Sequence, residues 1–196
     1  MTKVIFDISM SLDGFVTASG LRPDEPLGEG GQRLHEWATS ESDARSREVL
    51  NDERNATGAM ISGRRTYDTS LPWWGADGPS GTARLPLFVV SHDVPAQPPA
   101  EGVYTFVEDI HRALEGAKAA AADRNVSVMG GADIGQQFIR AGLIDEILIH
   151  LVPVLFGSGT RMFDHIGDEH IHLQTIQVIE APAATHLRFR VVKQPS

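Results

Sequence analysis

Short apolar runs alternate along the chain with longer polar segments, and this alternation predicts strands separated by helices. The apolar runs have the length and composition of buried strands, and they cover residues 4–10, 59–62, 87–91, 103–107, 126–129 and 147–156. Apolar residues at helical spacing predict helices over residues 109–123 and 133–141. A charged segment at 43–54 predicts a solvated helix, and residues 34–37 are expected to form a short one.

The C-terminal part of the chain alternates apolar and polar residues at 171–179 and again at 185–192, which predicts a β-hairpin. Strands separated by helices and closed by a hairpin predict an α/β fold. We expect a mostly parallel central sheet, flanking helices and an antiparallel edge. Segments rich in Gly and Pro predict long loops at 17–31 and 69–86. No repeat or linker interrupts the chain, so we expect a single domain over residues 1–196.

Charge and cysteine content exclude several classes of function. The 196 residues include 17 Lys and Arg against 26 Asp and Glu, a net charge of −9. We therefore expect no nucleic-acid partner, because affinity for nucleic acid depends on clustered basic side chains. The chain has no cysteine, which excludes disulfides, thiolate zinc sites and a cysteine nucleophile. The first residues lead directly into a predicted strand, without a long apolar run, so we expect a cytoplasmic protein with no membrane partner.

Three predicted strand ends carry groups that could hold an anionic ligand. The sequence contains no GxxxxGK[ST], HExxH, GxSxG or GxGxxG motif, which argues against several common catalytic and nucleotide-binding sites. The first strand end is Gly63-Arg64-Arg65-Thr66. Backbone N–H groups at a helix start, together with two guanidinium groups, favour a phosphate. An ordinary solvated helix start is the alternative.

The other two strand ends are a glycine pair and a Ser-His pair. Gly130 and Gly131 allow a ligand to approach the backbone closely, and Asp133 could cap the helix that follows. The alternative is a tight turn from strand to helix. The hydroxyl of Ser91 and the imidazole of His92 could receive a phosphate, or they could simply form a turn.

Five segments, taken together and in this order, are similar to the dihydrofolate-reductase-like family. They are ISMSLDGFV, MISGRRTY, LFVVSHD, VMGGADIGQQFI and AGLIDEILIHLVPVLFGSGTRMF. The chain most resembles the branch related to the reductase domain of bacterial riboflavin biosynthesis, and the resemblance covers residues 4–192. It implies a dihydrofolate-reductase-like α/β fold and a homodimer, because relatives commonly pair.

The resemblance also implies an NADPH-binding site. The implied cofactor-binding residues are Ile8, Ser9, Val16, Thr17, Gly63, Arg64, Arg65, Thr66, Ser91, His92, Gly130, Gly131, Ala132, Asp133 and Ile134. The first four of these would flank the nicotinamide, beneath a mobile loop at residues 13–20. Thr66 would cap the helix at the phosphates, and Ser91 with His92 would receive the adenosine 2′-phosphate. In the family a cis peptide bond often joins the glycine pair.

Hydride transfer depends on aligning donor and acceptor in a water-poor site more than on a side-chain nucleophile. A proton must also reach the substrate, and the candidates near the predicted loop are Asp13 and Glu36. The alternatives are turn formation for Asp13 and a surface position for Glu36. Trp37 and Phe156 could form an apolar wall for a ring-shaped substrate, with core packing as the alternative.

Departures from the family pattern narrow the substrate. Folate reductases place a carboxylate soon after a Trp and a Pro that follow the mobile loop, and residues 21–37 contain no clean match. Dihydrofolate is therefore not the expected substrate. The zinc deaminase that is usually fused to the riboflavin branch needs cysteines, which this chain lacks. His165, His170 and His172 have no characteristic metal-ligand spacing, so we expect no metal.

These observations favour an NADPH-dependent oxidoreductase that acts on a small molecule. The expected reaction is hydride transfer to a C=N or C=O bond of a pterin-like or pyrimidine-like heterocycle or a carbonyl compound. The alternative is a non-catalytic NADPH-binding or regulatory module on the same fold. A third hypothesis is an assembly protein that uses the fold only as a scaffold and binds no cofactor.

Overall fold

The elements of the fold form where apolar side chains can be buried against one another. The computed structural model describes residues 2–193. Its strands are β1 (Val4–Ser11), β2 (Phe15–Ala18), β3 (Thr57–Gly63), β4 (Leu87–Val90), β5 (Tyr104–Val107), β6 (Asn125–Met129), β7 (Glu146–Val152), β8 (Gly159–Arg161), β9 (Leu173–Glu180) and β10 (Thr185–Val191). Its α-helices are α1 (Glu36–Thr39), α2 (Ala44–Ala56), α3 (Arg64–Trp74), α4 (Ile110–Ala121) and α5 (Ala132–Arg140). Short 3-10 helices are formed by Gly31–His35 and Gly81–Ala83.

Eight of the strands form one sheet in the order β5-β4-β3-β6-β1-β7-β10-β9. The six strands from β5 to β7 pair in parallel, whereas β10 is antiparallel to both β7 and β9. β2 and β8 form a separate antiparallel pair. This topology confirms the predicted α/β fold, with a mostly parallel central sheet, flanking helices and a C-terminal antiparallel hairpin.

The two faces of the sheet bury different kinds of side chain, because successive residues of a strand point to opposite faces. On the first face, Phe6 and Ile61 pack with residues of α4 and α5 in the main apolar core. On the second face, α3 covers β4, where Tyr67 packs against Leu87. α2 covers β10 on the same face, and Ser46 there is hydrogen-bonded to a strand histidine.

The prediction of a loop at residues 69–86 is wrong for its first part, because α3 continues to Trp74. Pro72 lies inside this helix and lacks the N–H of an ordinary helical residue. Tyr67, Leu71 and Trp74 nevertheless share one face of the helix at spacings of four and three, and all three pack in one apolar cluster. Burial of this stripe outweighs the local effect of the proline.

Other predicted boundaries also differ from the structure. β7 ends at Val152 rather than at residue 156, because Pro153 cannot continue the ladder of hydrogen bonds. The predicted loop at 17–31 begins later, since Thr17 and Ala18 belong to β2. Among residues 2–193, no helix combines the length and the apolar character that crossing a membrane requires.

Candidate active site

Three parallel strands end at the same edge of the sheet, and each is followed by residues that the sequence predicts to bind a cofactor. β3 lies between β4 and β6 in the sheet. α3 begins directly after β3, and α5 begins after the glycine pair that follows β6. Both helices therefore present their first backbone N–H groups at this edge, where an anion is favoured.

Arg64 connects the end of β3 to the end of β4. Its Nη1 donates to Oγ of Ser91 at 3.2 Å and to the backbone oxygen of Asp93 at 2.9 Å. Its Nε donates to both carboxylate oxygens of Asp68, at 2.7 and 2.8 Å. The structure therefore brings Arg64 and Ser91 together, as the hypothesis of one shared groove requires.

Gly130 connects the end of β6 to the first turn of α3. Its φ of +104° lies in the left-handed region, and a Cβ added there would lie 2.6 Å from Cγ2 of Thr66. Both the backbone conformation and the contact therefore require glycine. Since Thr66 belongs to the α3 start, Arg64, Ser91 and Gly130 surround one site.

Three expectations from the sequence, two of them implied by the resemblance, are corrected by the structure. The N-cap position of α3 is Gly63, and Thr66 lies in the first turn rather than capping the helix. The N-cap position of α5 is Gly131, so Asp133 is also a first-turn residue, and its carboxylate accepts from Gln137. No cis peptide bond occurs among residues 2–193, so the glycine pair is joined in trans.

Arg65 and His92 are exposed at the same edge. Among residues 2–193, no hydrogen bond or ion pair engages the guanidinium of Arg65, in contrast to that of Arg64, which is paired with Asp68. Its guanidinium is therefore available for an anion. Ala132 and Ile134 are buried where α5 starts, and they anchor that helix in the apolar core.

The residues predicted to flank the nicotinamide are mostly packed inside the protein. Ile8 and Val16 belong to the main apolar core. The hydroxyl of Ser9 accepts from the indole Nε1 of Trp37 at 2.9 Å, and the hydroxyl of Thr17 donates to that of Thr160 at 2.8 Å. The predicted loop at 13–20 is interrupted, because residues 15–18 form β2.

The carboxylate of Asp13 holds the chain around residue 156. It accepts from Oγ of Ser11 at 2.6 Å and from the backbone N–H groups of Phe156 and Gly157. The hydrogen bond from Ser11, followed by those from the backbone, lowers the pKa of Asp13 to about 2 although desolvation opposes them. A carboxylate that is ionised and fully engaged in this way suits a structural role better than proton donation.

Glu36 and the two predicted aromatic residues have different surroundings. Glu36 is exposed and forms an ion pair with Arg33, one turn earlier in the chain. Trp37 is buried and Phe156 packs against the same small apolar cluster, so the structure brings these two rings into one region. The catalytic and substrate-binding roles of these residues stay predictions.

A chain of hydrogen-bonded polar side chains crosses the second face of the sheet beneath α2. We call it the buried polar chain; its members are Asp7, His150, His186, Ser46 and Asp43. Oδ1 of Asp7 lies 2.9 Å from Nε2 of His150, and the Nδ1 atoms of His150 and His186 are 2.7 Å apart. Nε2 of His186 lies 3.0 Å from Oγ of Ser46, which donates to Oδ2 of Asp43 at 2.8 Å.

One end of the buried polar chain opens to solvent near the cofactor-site edge. Asp7 pairs in register with Met129, the residue before Gly130, and its side chain is 29% exposed. Since Phe6 and Ile8 point into the first-face core, Asp7 points to the second face. An exposed side chain in a central strand requires a gap in the covering layer. This gap, which exposes part of the Asp7 side chain, we call the second-face groove.

His35 also borders this groove. Burial, followed by the neighbouring His150, lowers the pKa of the His35 imidazole, whereas Asp7 acts in the opposite direction. The residue is nevertheless exposed to solvent. The influence of Asp7 and His150 on its pKa indicates that His35 lies near these two residues.

The second-face groove is distinct from the deeper depressions of the surface. One of about 590 Å³ is bordered by Arg140 of α5 and Val191 of β10. Another of about 290 Å³ lies between α2 and β9. Neither includes the residues at the ends of β3, β4 and β6.

The sequence predictions missed the buried polar chain, although a signal was present. His150 stands in an almost entirely apolar run, and Asp7 stands in another. A polar residue at a buried strand position requires a partner, because an unpaired buried polar group is unfavourable. His170 and His172, which the sequence suggests as possible metal ligands, are instead exposed.

We expect the stability of the protein to depend on pH through His186. Burial, followed by the neighbouring His150, lowers the pKa of this imidazole to about 4, whereas an unfolded histidine titrates near 6.5. The ring is therefore neutral when folded, and the unfolded state binds the proton more readily. Stability is complete above pH 6.5 and falls by on the order of 3 kcal/mol as the pH drops toward 4.

Chemical denaturation between pH 4 and 8 tests this expectation. The variant His186→Gln should lose most of this pH dependence, and His172→Gln, which changes an exposed histidine, should retain it. An unchanged slope in His186→Gln would show that other groups cause the acid sensitivity.

The sheet order and the placement of the site at the carboxyl ends of parallel strands define a dihydrofolate-reductase-like protein. More specifically, the chain belongs to the RibD C-terminal domain family, whose model matches residues 2–187. The riboflavin biosynthesis protein RibD of Mycobacterium tuberculosis is 28% identical over 149 residues, which is 69% of this chain and 41% of that protein. This chain thus spans about two fifths of the length of those relatives.

Solved structures share the fold at low sequence identity. A provisionally assigned riboflavin biosynthesis protein from Shewanella sp. PV-4 superposes with a TM-score of 0.72 at 19% identity, covering 98% of this chain and 100% of that chain. A diaminohydroxyphosphoribosylaminopyrimidine deaminase/5-amino-6-(5-phosphoribosylamino)uracil reductase from Thermotoga maritima gives a TM-score of 0.68 at 14% identity. The superposition covers 97% of this chain and 57% of the Thermotoga maritima chain.

Proposed function

We propose that the protein is an NADPH-dependent oxidoreductase that reduces a C=N or C=O bond of a small pyrimidine-like heterocycle. One observation carries the proposal: the ends of β3, β4 and β6 meet at one edge, joined by the contacts of Arg64 with Ser91 and of Thr66 with Gly130. Membership in the RibD C-terminal domain family supports an enzyme of the reductase type. The named reductase activity of the Thermotoga maritima protein on a uracil supports a pyrimidine-like substrate.

The residues at this edge fit a dinucleotide with two phosphates. Gly130 packs closely against Thr66 in the first turn of α3, because a Cβ there would lie 2.6 Å from Cγ2 of Thr66, so the glycine turn and the start of α3 lie side by side. The first N–H groups of α3 and α5 would donate to phosphate oxygens. Arg65 would contribute a cation that no carboxylate of the described chain neutralises. Arg64 is fixed by Asp68 and Ser91, so it would present a fixed guanidinium close to His92.

NADPH would supply the hydride, and the chain would supply alignment and a proton. No nucleophile is needed for this chemistry, because the cofactor carries the reactive group. The second-face groove adjoins the glycine turn through the Asp7–Met129 register pair. We therefore place the substrate in this groove, with its reacting bond facing the cofactor edge. The cytoplasmic location, the homodimer and the single-domain extent stay predictions.

Thermal unfolding with added nucleotide tests cofactor binding. At 100 times its Kd, NADPH should stabilise the folded state by about 2.7 kcal/mol, which raises Tm by roughly 5–10 °C for a chain of this size. NADH should have a much smaller effect, because it lacks the 2′-phosphate that Ser91 and His92 are proposed to receive. If neither nucleotide raises Tm, the proposal is contradicted.

A pair of arginine variants locates the binding edge. Arg65→Gln should weaken NADPH binding about tenfold, the loss of one charge-assisted contact to phosphate. Arg124→Gln is the matched control, because Arg124 precedes β6 and so lies at the opposite edge of the sheet. Equal effects of the two variants would point to a general charge effect.

Oxidation of NADPH with a panel of pyrimidines, pterins and quinones tests turnover. Turnover with a pyrimidine would support the proposed substrate class. NADPH binding without turnover of any compound would favour the non-catalytic nucleotide-binding module.

A further inference from the structure

We propose that Asp7 is the catalytic residue that protonates the substrate, and that the buried polar chain behind it stores and restores the proton. This proposal rests on the proposed reductase function and names the proton source of that same site. Each hydrogen bond of the buried polar chain is assigned one hydrogen, starting at the buried end of the chain, Asp43, and ending at Asp7 in the second-face groove.

The buried end of the chain is an ionised carboxylate. Asp43 caps α2, and it accepts hydrogen bonds from the backbone and the hydroxyl of Ser46 and from the backbone of Ala183. Burial would raise the pKa of Asp43, but these hydrogen bonds lower it overall. Because the hydroxyl hydrogen of Ser46 points to Asp43, Oγ of Ser46 must accept from Nε2 of His186.

The direction of that hydrogen bond fixes the next one. His186 is neutral at physiological pH, since burial lowers its pKa. A neutral imidazole with its hydrogen on Nε2 has a lone pair on Nδ1. The Nδ1 atom of His150, 2.7 Å away, must therefore carry the hydrogen of that contact.

This leaves one hydrogen to be placed between Nε2 of His150 and Oδ1 of Asp7, which are 2.9 Å apart. With His150 already protonated on Nδ1, the contact exists only if Nε2 also carries a hydrogen or if Asp7 is a carboxylic acid. In both cases the pair holds one transferable proton and has no net charge. A neutral pair is the form that a buried site favours.

The chain also accommodates the loss of that proton. If Asp7 becomes a carboxylate, His150 can donate from Nε2, His186 can donate from Nδ1, and Ser46 can donate to Nε2 of His186. The three contacts from Asp7 to Ser46 then each keep one hydrogen, and the contact between the Ser46 hydroxyl and Asp43 loses its hydrogen. Asp43 keeps its two backbone donors, Ser46 and Ala183.

Asp7 is the member of the chain that can reach a substrate. It is 29% exposed, whereas His150 is 4% exposed. No residue in the described part of the chain donates to its Oδ2. The charged groups that face it from the neighbouring elements are Glu53 on α2 and His35, besides the two strand histidines. Glu53 is paired with Arg188, so no unpaired charge opposes the exchange of a proton at Asp7.

The chemical step balances with this donor. NADPH would supply a hydride to the carbon of the C=N or C=O bond, and the π electron pair would move to the nitrogen or oxygen. The proton of the Asp7–His150 pair forms the new N–H or O–H bond there. Asp7 remains as a carboxylate within the reversed chain, the nicotinamide is oxidised, and solvent returns one proton through the groove.

Spectroscopy of the protein alone tests the stored proton. If Asp7 holds the proton, the infrared spectrum at pH 7 should contain a carboxylic acid band that Asp7→Asn removes. If His150 holds it, the ¹⁵N spectrum of the unsubstituted protein should show His150 as an imidazolium. The same ¹⁵N spectrum should show His186 neutral with its hydrogen on Nε2. A carboxylate at Asp7 beside a neutral His150 would overturn the proposal. These readouts need no cofactor, so they remain decisive even if the proposed reductase function fails.

Kinetics tests the transfer. Asp7→Asn should lower kcat about 100-fold, with NADPH affinity changed less than twofold and with the alkaline limb of the pH profile lost. Asp123→Asn, which changes an exposed carboxylate, should leave kcat unchanged. His186→Gln, a positioning variant, should shift the pH profile of kcat while leaving KM close to its original value. Unchanged kcat in a folded Asp7→Asn protein would overturn the assignment.

Discussion

Replacing Arg188 with methionine is expected to lower the free energy of unfolding by about 3 kcal/mol at pH 7. Arg188 donates from Nε to Glu146 at 2.6 Å and is also paired with Glu53. The side chains of Arg188 and Glu146 are only 16% and 2% exposed. Removal of the Arg188 guanidinium would leave the carboxylates of Glu146 and Glu53 facing each other in a poorly hydrated layer. Lys3 still donates to Glu146 at 2.7 Å, which limits the cost.

The loss of stability caused by Arg188→Met should be smaller at low pH. Burial would raise the pKa of Glu146, but hydrogen bonds from Lys3 and Arg188 lower it overall, so the folded wild type loses stability as the pH falls through that lowered pKa. In the variant the carboxylates take up protons at higher pH and their repulsion ends. The gap between the two proteins should therefore narrow from pH 7 to pH 4.

Denaturant titrations of Arg188→Met and of Lys193→Met measure the difference. Lys193 forms an ion pair with Asp145 in which the two side chains are 59% and 32% exposed. Breaking an exposed pair costs less than about 1 kcal/mol. Equal losses in both variants, or a gap that widens in acid, would contradict the account of a buried network.

Local patterns predicted the parallel part of the sheet because its strands are buried on both faces. A run such as residues 126–129 has few other places in a folded chain, and the strand is present at Asn125–Met129. The amphipathic helix over 109–123 was equally clear, since Ala113, Leu114 and Ala117 recur at helical spacing and are buried in the core. Such elements are determined by their own side chains.

Elements that depend on distant residues were predicted less well. The second half of α3 contains Pro72, and only packing against β4 and β5 explains why the helix continues. The pairing of β2 with β8 joins residues about 140 positions apart in the chain, which no local pattern indicates. Long-range contacts of this kind become visible only in the assembled fold.

The residues of the candidate site also differ in how well the sequence predicts their positions. Gly63, Ser91 and Gly130 follow apolar runs, so their meeting at one edge could be predicted from the geometry of parallel strands. The hydrogen bond between His150 and His186 joins strands that are adjacent only through the C-terminal hairpin. The pattern of β7 shows a polar residue at the buried position of His150, but it does not reveal which residue is the partner of that histidine.

The second large effect is expected from Gly130→Ala, which should lower the free energy of unfolding by about 2–5 kcal/mol. An alanine at φ +104° is strained by about 1–2 kcal/mol. The added Cβ would also lie 2.6 Å from Cγ2 of Thr66, and overpacking of this kind costs about 1–3 kcal/mol. For a chain of this length, the expected loss corresponds to a fall in Tm of roughly 5–15 °C.

Two further variants separate the two causes. Gly142→Ala places alanine at φ +65° with no atom within 4 Å of the new Cβ, so it should show the backbone cost alone. Thr66→Ala removes Cγ2 and Oγ1, the two atoms nearest to a Cβ on Gly130. Combined with Gly130→Ala, it should recover about 1 kcal/mol or more, a coupling that only residues in contact show.

Cofactor binding then distinguishes a structural glycine from one in a binding site. If a phosphate binds at this turn, the double variant should regain stability without regaining NADPH affinity, because both replaced residues lie at the proposed phosphate site. If stability and affinity recover together, the glycine serves only the contact between β6 and α3. The difference between the two recoveries thus measures how closely the ligand approaches this turn.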